Sequence, residues 1–227
     1  MSIPAPGSSP RTRVRRLPDK AVTDRRVAYD ILDAGVMAHV AVVTDGQPYV
    51  VPVGYARRGD EVIFHGSSAS RLFRTLAQGV PTCLTVTLLD GLVLARSLFE
   101  SSMHYRCVMA IGTARQLEGD EEVAALLDLS EHLMPGRTAD ARHPAPQELK
   151  ATITLALPLD EISVKVGDGP PADLPEDLAD PVYSRIWAGY LPIVESFGDP
   201  VADDLARDIP PPTYLAHWAP PGSAPRP

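Results

Sequence analysis

Between residues 23 and 167 short apolar runs alternate with turn-forming dipeptides, which is the pattern of a mainly β protein with a few peripheral helices. "TDRRVAYDILDAG" breaks the alternation. Val27, Ile31 and Leu32 share one helical face, Thr23 stands at the N-cap position, and Gly35 ends the segment. "VMAHVAVVTDGQPYVVPVGYARRGDEVIFHG" reads as three strands, with hairpin turns at Asp45-Gly46 and Arg58-Gly59. A helix is predicted from about Ala69 to Gln78, stopped by Gly79. "VPTCLTVTLLDG" and "LVLARSL" read as two strands about an Asp90-Gly91 turn. "YRCVMAIGTARQLEG" reads as one long strand in which Gly112 marks a bulge or bend. "DEEVAALLDLSEHLM" is an amphipathic helix that opens on acidic residues, as the helix dipole favours. A loop follows from Arg137 to Pro146, with a short helix around Gln147. "TITLALPLDEISVKVG" is one strand, or two divided at Pro158. Six or seven antiparallel strands with few helices imply a barrel or a sandwich.

The flanks differ in character. Residues 1–18 are rich in Pro, Ser and Arg and are expected to be disordered, a basic arm carrying Arg11, Arg13, Arg15 and Arg16. Residues 219–227, "APPGSAPRP", are expected to be a disordered tail. Residues 168–218 begin with the Pro/Asp linker "DGPPADLPEDLADP" and hold both tryptophans, Trp187 and Trp218. So much aromatic surface calls for docking, on the barrel or on a neighbouring subunit. This leaves residues 19–167 as the main domain.

Charge narrows the function. A net charge of −8 argues against nucleic-acid binding, which needs a basic field, and against an anionic membrane surface. No run reaches the length of a membrane span, and the basic N-terminus lacks an apolar secretory core. A cytoplasmic protein is expected. Cys83 and Cys107 sit in apolar stretches without Cys-x-x-Cys spacing, which fits reduced, buried thiols and no metal cage.

Two polar stretches carry candidate chemistry. In "IFHGSSASRLFRTL" a strand ends at His65, Gly66 lets the chain turn, and Ser67, Ser68, Ser70 and Arg71 stand at a helix start. Such a group serves either as a helix cap or as an anion seat, where hydroxyls, free N–H groups and a guanidinium fork converge. It is not a Walker loop, since the Gly-Lys-Ser/Thr is missing. The second stretch, "RSLFESSMHYRCV", places Ser101, Ser102, His104, Tyr105 and Arg106 between apolar strands, as an exposed hairpin loop or the rim of a site. Its serines lack the Gly-x-Ser-x-Gly frame. His39 and His132 lie on apolar elements and read as structural residues.

The order "PYVVPVGYA", "VIFHG", a Ser/Arg-bearing helix start and "SMHYRCVMAIGTARQLEGDEE" resembles the flavin-binding split-barrel group, the pyridoxamine 5′-phosphate oxidase-like family. Within it, the nitroimidazole-resistance-type branch is most similar, and "IWAGYLPI" with "PPPTYLAHW" resembles that branch's tail. The resemblance implies a split β-barrel homodimer with FMN at the subunit interface. It places the phosphate by His65, Ser67, Ser68, Ser70 and Arg71 and the flavin ring along Val51, Pro52, Val53 and Gly54. Ser101, Ser102, Tyr105 and Arg106 would line the cofactor from another side, and Trp187 would close the pocket.

The implied function is an FMN-dependent reductase of a small organic, possibly nitro-aromatic, substrate with a nicotinamide donor. His104 and Tyr105 are the weak candidates for an acid or base. The chain lacks the oxidase's adjacent basic pair, having Ser70-Arg71 instead, and it lacks the Gly-His-Lys of the nitroimidazole branch. It also lacks the oxidase's C-terminal substrate-phosphate motif, which argues against pyridoxamine-phosphate oxidation. The alternatives are a deazaflavin F420 enzyme of the same fold, a non-catalytic flavin- or haem-binding protein, and a cofactor-free barrel.

Overall fold

The computed structural model describes residues 3–222. Nine antiparallel strands form one curled sheet among the described residues, in the order β6 (Arg115–Gln116), β7 (Thr152–Pro158), β3 (Glu61–Ser67), β2 (Gln47–Arg58), β1 (Met37–Thr44), β4 (Pro81–Leu94), β5 (Ser102–Thr113) and β8 (Glu161–Gly167), with β9 (Gly189–Pro192) added to β4. The fold is the mainly β split barrel that the resemblance implied, with more strands than the six or seven expected.

Helix α1, Arg25–Ala34, is capped by Asp24, not Thr23. The Asp24 carboxylate accepts from the Arg26 N–H at 2.9 Å. It buries Ala28, Ile31 and Leu32. Strands β1 (Met37–Thr44) and β2 (Gln47–Arg58) are joined at Asp45 and Gly46, whose φ values of 53° and 75° suit a type I′ turn. Strand β3, Glu61–Ser67, pairs with β2 and with β7, Thr152–Pro158. Helix α2 spans Arg71–Ala77.

Strand β4 runs unbroken from Pro81 to Leu94. Asp90 is a bulge in it and not the hairpin turn expected, because β5 (Ser102–Thr113) pairs along its whole length. Gly112 lies in regular register with Thr82 and marks no bulge. After the two-residue β6 (Arg115–Gln116) comes α3, Gly119–Leu133, then α4, Pro146–Lys150. The last apolar run is divided at Pro158 into β7 and β8, Glu161–Gly167. The main core fills the curl of the sheet under α1 and α2, with Phe64, Leu76, Leu84, Val108 and Leu155 fully buried.

The flanks are more ordered than expected. The N-terminal arm lies on β8. Gly7 donates to the Ile162 carbonyl at 2.8 Å, Arg11 pairs with Glu161 at 2.7 Å, and Thr12 is buried. These long-range bonds offset the entropy that a Pro-rich segment would otherwise keep. The C-terminal extension begins with α5, Pro175–Ala179, and adds β9, Gly189–Pro192, to the edge of β4. Arg96 holds Asp173, and the Trp218 indole donates to the Pro135 carbonyl at 2.8 Å. The extension thus contacts β4, Arg96 and Pro135 within the same chain. Of the expected disordered tail, residues 219–222 lie on the barrel, and 223–227 fall outside the described residues.

Candidate functional site

The first candidate stretch sits at the end of β3. Gly66 stays within the ladder, opposite Ile153, and does not turn the chain. Its role is close approach: a Cβ there would stand 2.1 Å from the Phe73 ring of α2. The chain turns after Ser67, whose hydroxyl accepts from the Ala69 N–H at 3.2 Å and whose carbonyl accepts from the Ser70 N–H at 2.9 Å. Ser68 is tied through its backbone N–H to the Ala151 carbonyl at 2.8 Å. Ser70 occupies the N-cap position of α2, and no side chain caps that helix.

The hydroxyls of Ser68 and Ser70 thus have no partner among the described residues. Arg71 is exposed, pairs with no carboxylate, and lies 4.2 Å from the Tyr49 ring centroid. Two hydroxyls and an uncommitted guanidinium at one loop are a donor set that fits a phosphate. His65 is exposed by surface area yet closely surrounded, and this desolvation holds its pKa below the usual value.

Strand β2 divides its candidates between two faces. Val51 and Val53 lie opposite Val40 and Ala38 on the core side, and Val53 belongs to the core. Pro52 and Gly54 lie opposite His39 and Met37 on the outer side. Val53 is therefore not available to a ligand through its side chain, because a strand sends alternate residues to opposite faces. His39 is exposed on that outer face and makes no hydrogen bond among the described residues, so it is not the satisfied structural histidine expected. His132 is one, with Nε2 2.7 Å from the Gly35 carbonyl.

The second stretch does not join the first. Strands β2, β1 and β4 separate β3 from β5 in the sheet order. The Ser101 hydroxyl is consumed locally, accepting from the Ala95 N–H at 3.1 Å and donating to the Ser97 carbonyl at 2.9 Å. His104 is buried against Tyr190, ring centroids 4.9 Å apart, and its Nε2 donates to the Gly169 carbonyl at 2.8 Å. Its Nδ1 is buried without a partner among the described residues. Tyr105 is half-buried, with Lys20 Nζ 5.9 Å from its ring centroid.

Arg106 is 2% exposed and forms a fork to Asp90, Nε to Oδ2 at 2.9 Å and Nη2 to Oδ1 at 2.8 Å. Its Nη2 also donates to the Gly222 carbonyl at 2.9 Å. That is a structural clamp between a strand bulge and the C-terminal extension, in place of the cofactor contact expected. Trp187 is 68% exposed, packs against Gly189 and lines none of the cavities described here.

Two cavities flank this half. One of about 590 Å3 is lined by Ser101, Ser102 and His104 together with Arg16 and Lys20 of the N-terminal arm. Another of about 520 Å3 lies between the β1 and β4 ends and the extension. Asp90 and Glu195 of that second cavity were missed in the sequence. Asp90 read as a turn residue, and nothing local to Glu195 connects it with β4.

No group of His, Cys, Asp and Glu among the described residues could hold a metal ion, and both cysteines are free. No helix among them is long and apolar enough to cross a membrane.

The pyridoxamine 5′-phosphate oxidase family model matches residues 24–166, well over half of the chain. The chain belongs to the pyridoxamine 5′-phosphate oxidase-like family of flavin-binding split barrels. Among solved structures, the FAD- and haem-binding protein of Mycobacterium smegmatis is 40% identical, with a TM-score of 0.82 over 87% of this chain and 96% of that one. The flavocytochrome Anf3 of Azotobacter vinelandii is 37% identical, with a TM-score of 0.86 over 96% of this chain and 99% of that one. A candidate 5-nitroimidazole antibiotic resistance protein of Bacteroides thetaiotaomicron is 20% identical, with a TM-score of 0.55 over 64% of this chain and 86% of that one, and shares the fold. Among curated proteins none matches.

Proposed function

We propose that this protein is a homodimeric flavin-dependent oxidoreductase that holds its cofactor between two copies of the chain. The observation that carries the proposal is the identity of 37–40%, over nearly the whole length, to two solved flavin proteins. The geometry supports it in two ways. The two candidate stretches lie on strands separated by three others, so one chain offers each half of a site in a different place. The outer sheet face is open and apolar, with Met37, Val43 and Val50 at 55%, 61% and 62% exposure, a surface that calls for a partner.

In this reading Ser68, Ser70 and Arg71 hold the phosphate, and Pro52 and Gly54 offer the flat outer surface of β2 to the ring. Bound there, a flavin supplies electron transfer between a nicotinamide donor and a small organic acceptor. The protein orients the cofactor and excludes water. His104 is not placed to act as an acid or base, since its Nε2–H is tied to a carbonyl and the ring is buried. The Mycobacterium smegmatis relative, an FAD- and haem-binding protein, favours FAD over FMN as the flavin.

Absorbance of the purified protein, with analysis of the released cofactor, tests the reading and separates FAD from FMN. Arg71→Ala should weaken flavin binding tenfold or more, from about 1.5–3 kcal/mol for a charge-assisted bond. Melting of the flavin-free protein should change little, because Arg71 is exposed. Unchanged flavin affinity in Arg71→Ala would overturn the phosphate placement.

Haem as a second cofactor is favoured by the same two relatives. His39, His65 and His217 are the exposed imidazoles with no hydrogen bond among the described residues, so each keeps a ring nitrogen free to bind iron, and His39 and His65 are the two that lie on the strands pairing with β2, the strand assigned to the flavin ring. A Soret band after haem addition, lost in His39→Ala or in His65→Ala, would support this second reading and assign the ligand.

A further inference from the structure

Resting on the flavin reading above, the cavity beneath the C-terminal extension identifies a substrate class. About 520 Å3 of space lies between the sheet, represented by Met37, Leu88 and Leu89, and the extension, represented by Ile193, Val194 and Pro220. Such a volume suits a ligand of one to three rings, sites for such molecules spanning roughly 300–1,000 Å3. Met37 lies directly opposite Gly54 in the β1–β2 ladder. The cavity therefore opens beside the strand segment assigned to the flavin ring.

The charge of the lining is one-sided. Among the described lining residues there is no Arg, Lys or His, and there are two carboxylates, Asp90 and Glu195. Asp90 pairs with the buried Arg106 fork, whose Nε and Nη2 are committed to it and to Gly222. Glu195 makes no hydrogen bond or ion pair among the described residues. An anionic group entering here would gain no cation from the lining and meet the exposed carboxylate of Glu195. An uncharged aromatic ring meets no such cost, and a positive charge gains from Glu195.

We propose that this cavity is the substrate site and that it takes planar aromatic molecules bearing no anionic group, with Glu195 selecting for positive charge. The clamp that holds the extension in place is part of the site. Gly222 donates to the Ala34 carbonyl at 2.8 Å and accepts from Arg106, which keeps Pro220 over the cavity. Arg106 is thus a positioning residue here and not a cofactor ligand.

Equilibrium dialysis of the full-length protein, with and without bound flavin, tests the proposal with three dyes or quinones of different charge. The probes are methylene blue (cationic), menadione (neutral) and dichlorophenolindophenol (anionic), each measured at about 0.15 M salt, where the Debye length of about 8 Å screens distant charges of an acidic protein more than a contact inside the cavity. Methylene blue and menadione should bind, and the anion should bind at least tenfold more weakly. Glu195→Lys should reverse the order of the two charged probes, and Leu89→Trp should weaken all that bind. In the flavin-loaded protein, bound menadione should perturb the flavin fluorescence.

Equal binding of the anion, or a Glu195→Lys variant with the original order, would overturn the assignment of the cavity's selectivity. Probe binding that leaves flavin fluorescence unchanged would overturn its assignment as the substrate site. Failure to take up any flavin is read separately from the absorbance spectrum and would sink the flavin reading itself.

Discussion

Replacing Gly66 with Ala isolates one packing contact that supports the candidate phosphate loop. The φ of Gly66 lies outside the left-handed region, so alanine brings no backbone strain. The added Cβ would meet three ring atoms of Phe73, at 2.1, 2.5 and 2.6 Å. Phe73 is 5% exposed and packs on Phe64 with ring centroids 6.0 Å apart, so the ring has little room to retreat. Overpacking of this kind costs about 1–3 kcal/mol. For a chain of this length each kcal/mol lowers Tm by roughly 2–4 °C, which gives a fall of roughly 2–12 °C. Circular dichroism melts of Gly66→Ala, Phe73→Leu and the double variant measure it. The penalty should shrink in the Phe73→Leu background, with a coupling energy of about 0.5–3 kcal/mol. A Gly66→Ala protein that melts like the parent, or that pays the same penalty with Leu at 73, would refute the reasoning. Flavin affinity should fall alongside stability, because α2 and Arg71 move with Phe73.

Other perturbations address the clamp and the surface network. Arg106→Met removes the fork to Asp90 and the bond to Gly222, and loss of one partner of so buried a pair should cost about 3–5 kcal/mol in urea unfolding. Limited proteolysis should then cut the extension faster, and a loss under about 1 kcal/mol would argue that Arg106 is free for another role. At α4, the Arg142 guanidinium and the Ala145 N–H hold the Glu148 carboxyl down to about 2. A carboxylate whose pKa is depressed in the folded state contributes stability above its unfolded pKa and loses it as pH falls through the folded one. Hydrogen exchange in residues 137–150 should therefore quicken as pH drops from about 4.5 toward 2, beyond the intrinsic trend. Glu148→Gln should remove that dependence, and an identical profile in the two proteins would contradict the assignment.

Helix α1 and the hairpin at Asp45-Gly46 were legible in the sequence because both signals are local, a one-sided apolar stripe and a dipeptide suited to positive φ. The polar loop of Ser68, Ser70 and Arg71, read as a helix cap or an anion seat, was legible for the same reason. Gly66 was misread because its reason lies seven residues away, in the ring of Phe73. Asp90-Gly91 was misread because a turn dipeptide and a bulge look alike until the partner strand is known. The order of the N-terminal arm rests on bonds to Glu161 and Ile162, which no local composition could reveal.

The sequence by itself determined a mainly β protein with a Ser/Arg loop after β3 and an aromatic-rich extension, and the order of its motifs carried the resemblance to a flavin-binding split-barrel family. Period-two patterning, turn chemistry and the order of short motifs are properties of neighbouring residues and survive in one dimension. Only the tertiary structure decided that Val53 is core, that Arg106 clamps Asp90 to Gly222, and that the candidate halves lie three strands apart. Those facts depend on strand register and on contacts across more than a hundred residues of chain, as between Arg106 and Gly222, and local physics does not encode them.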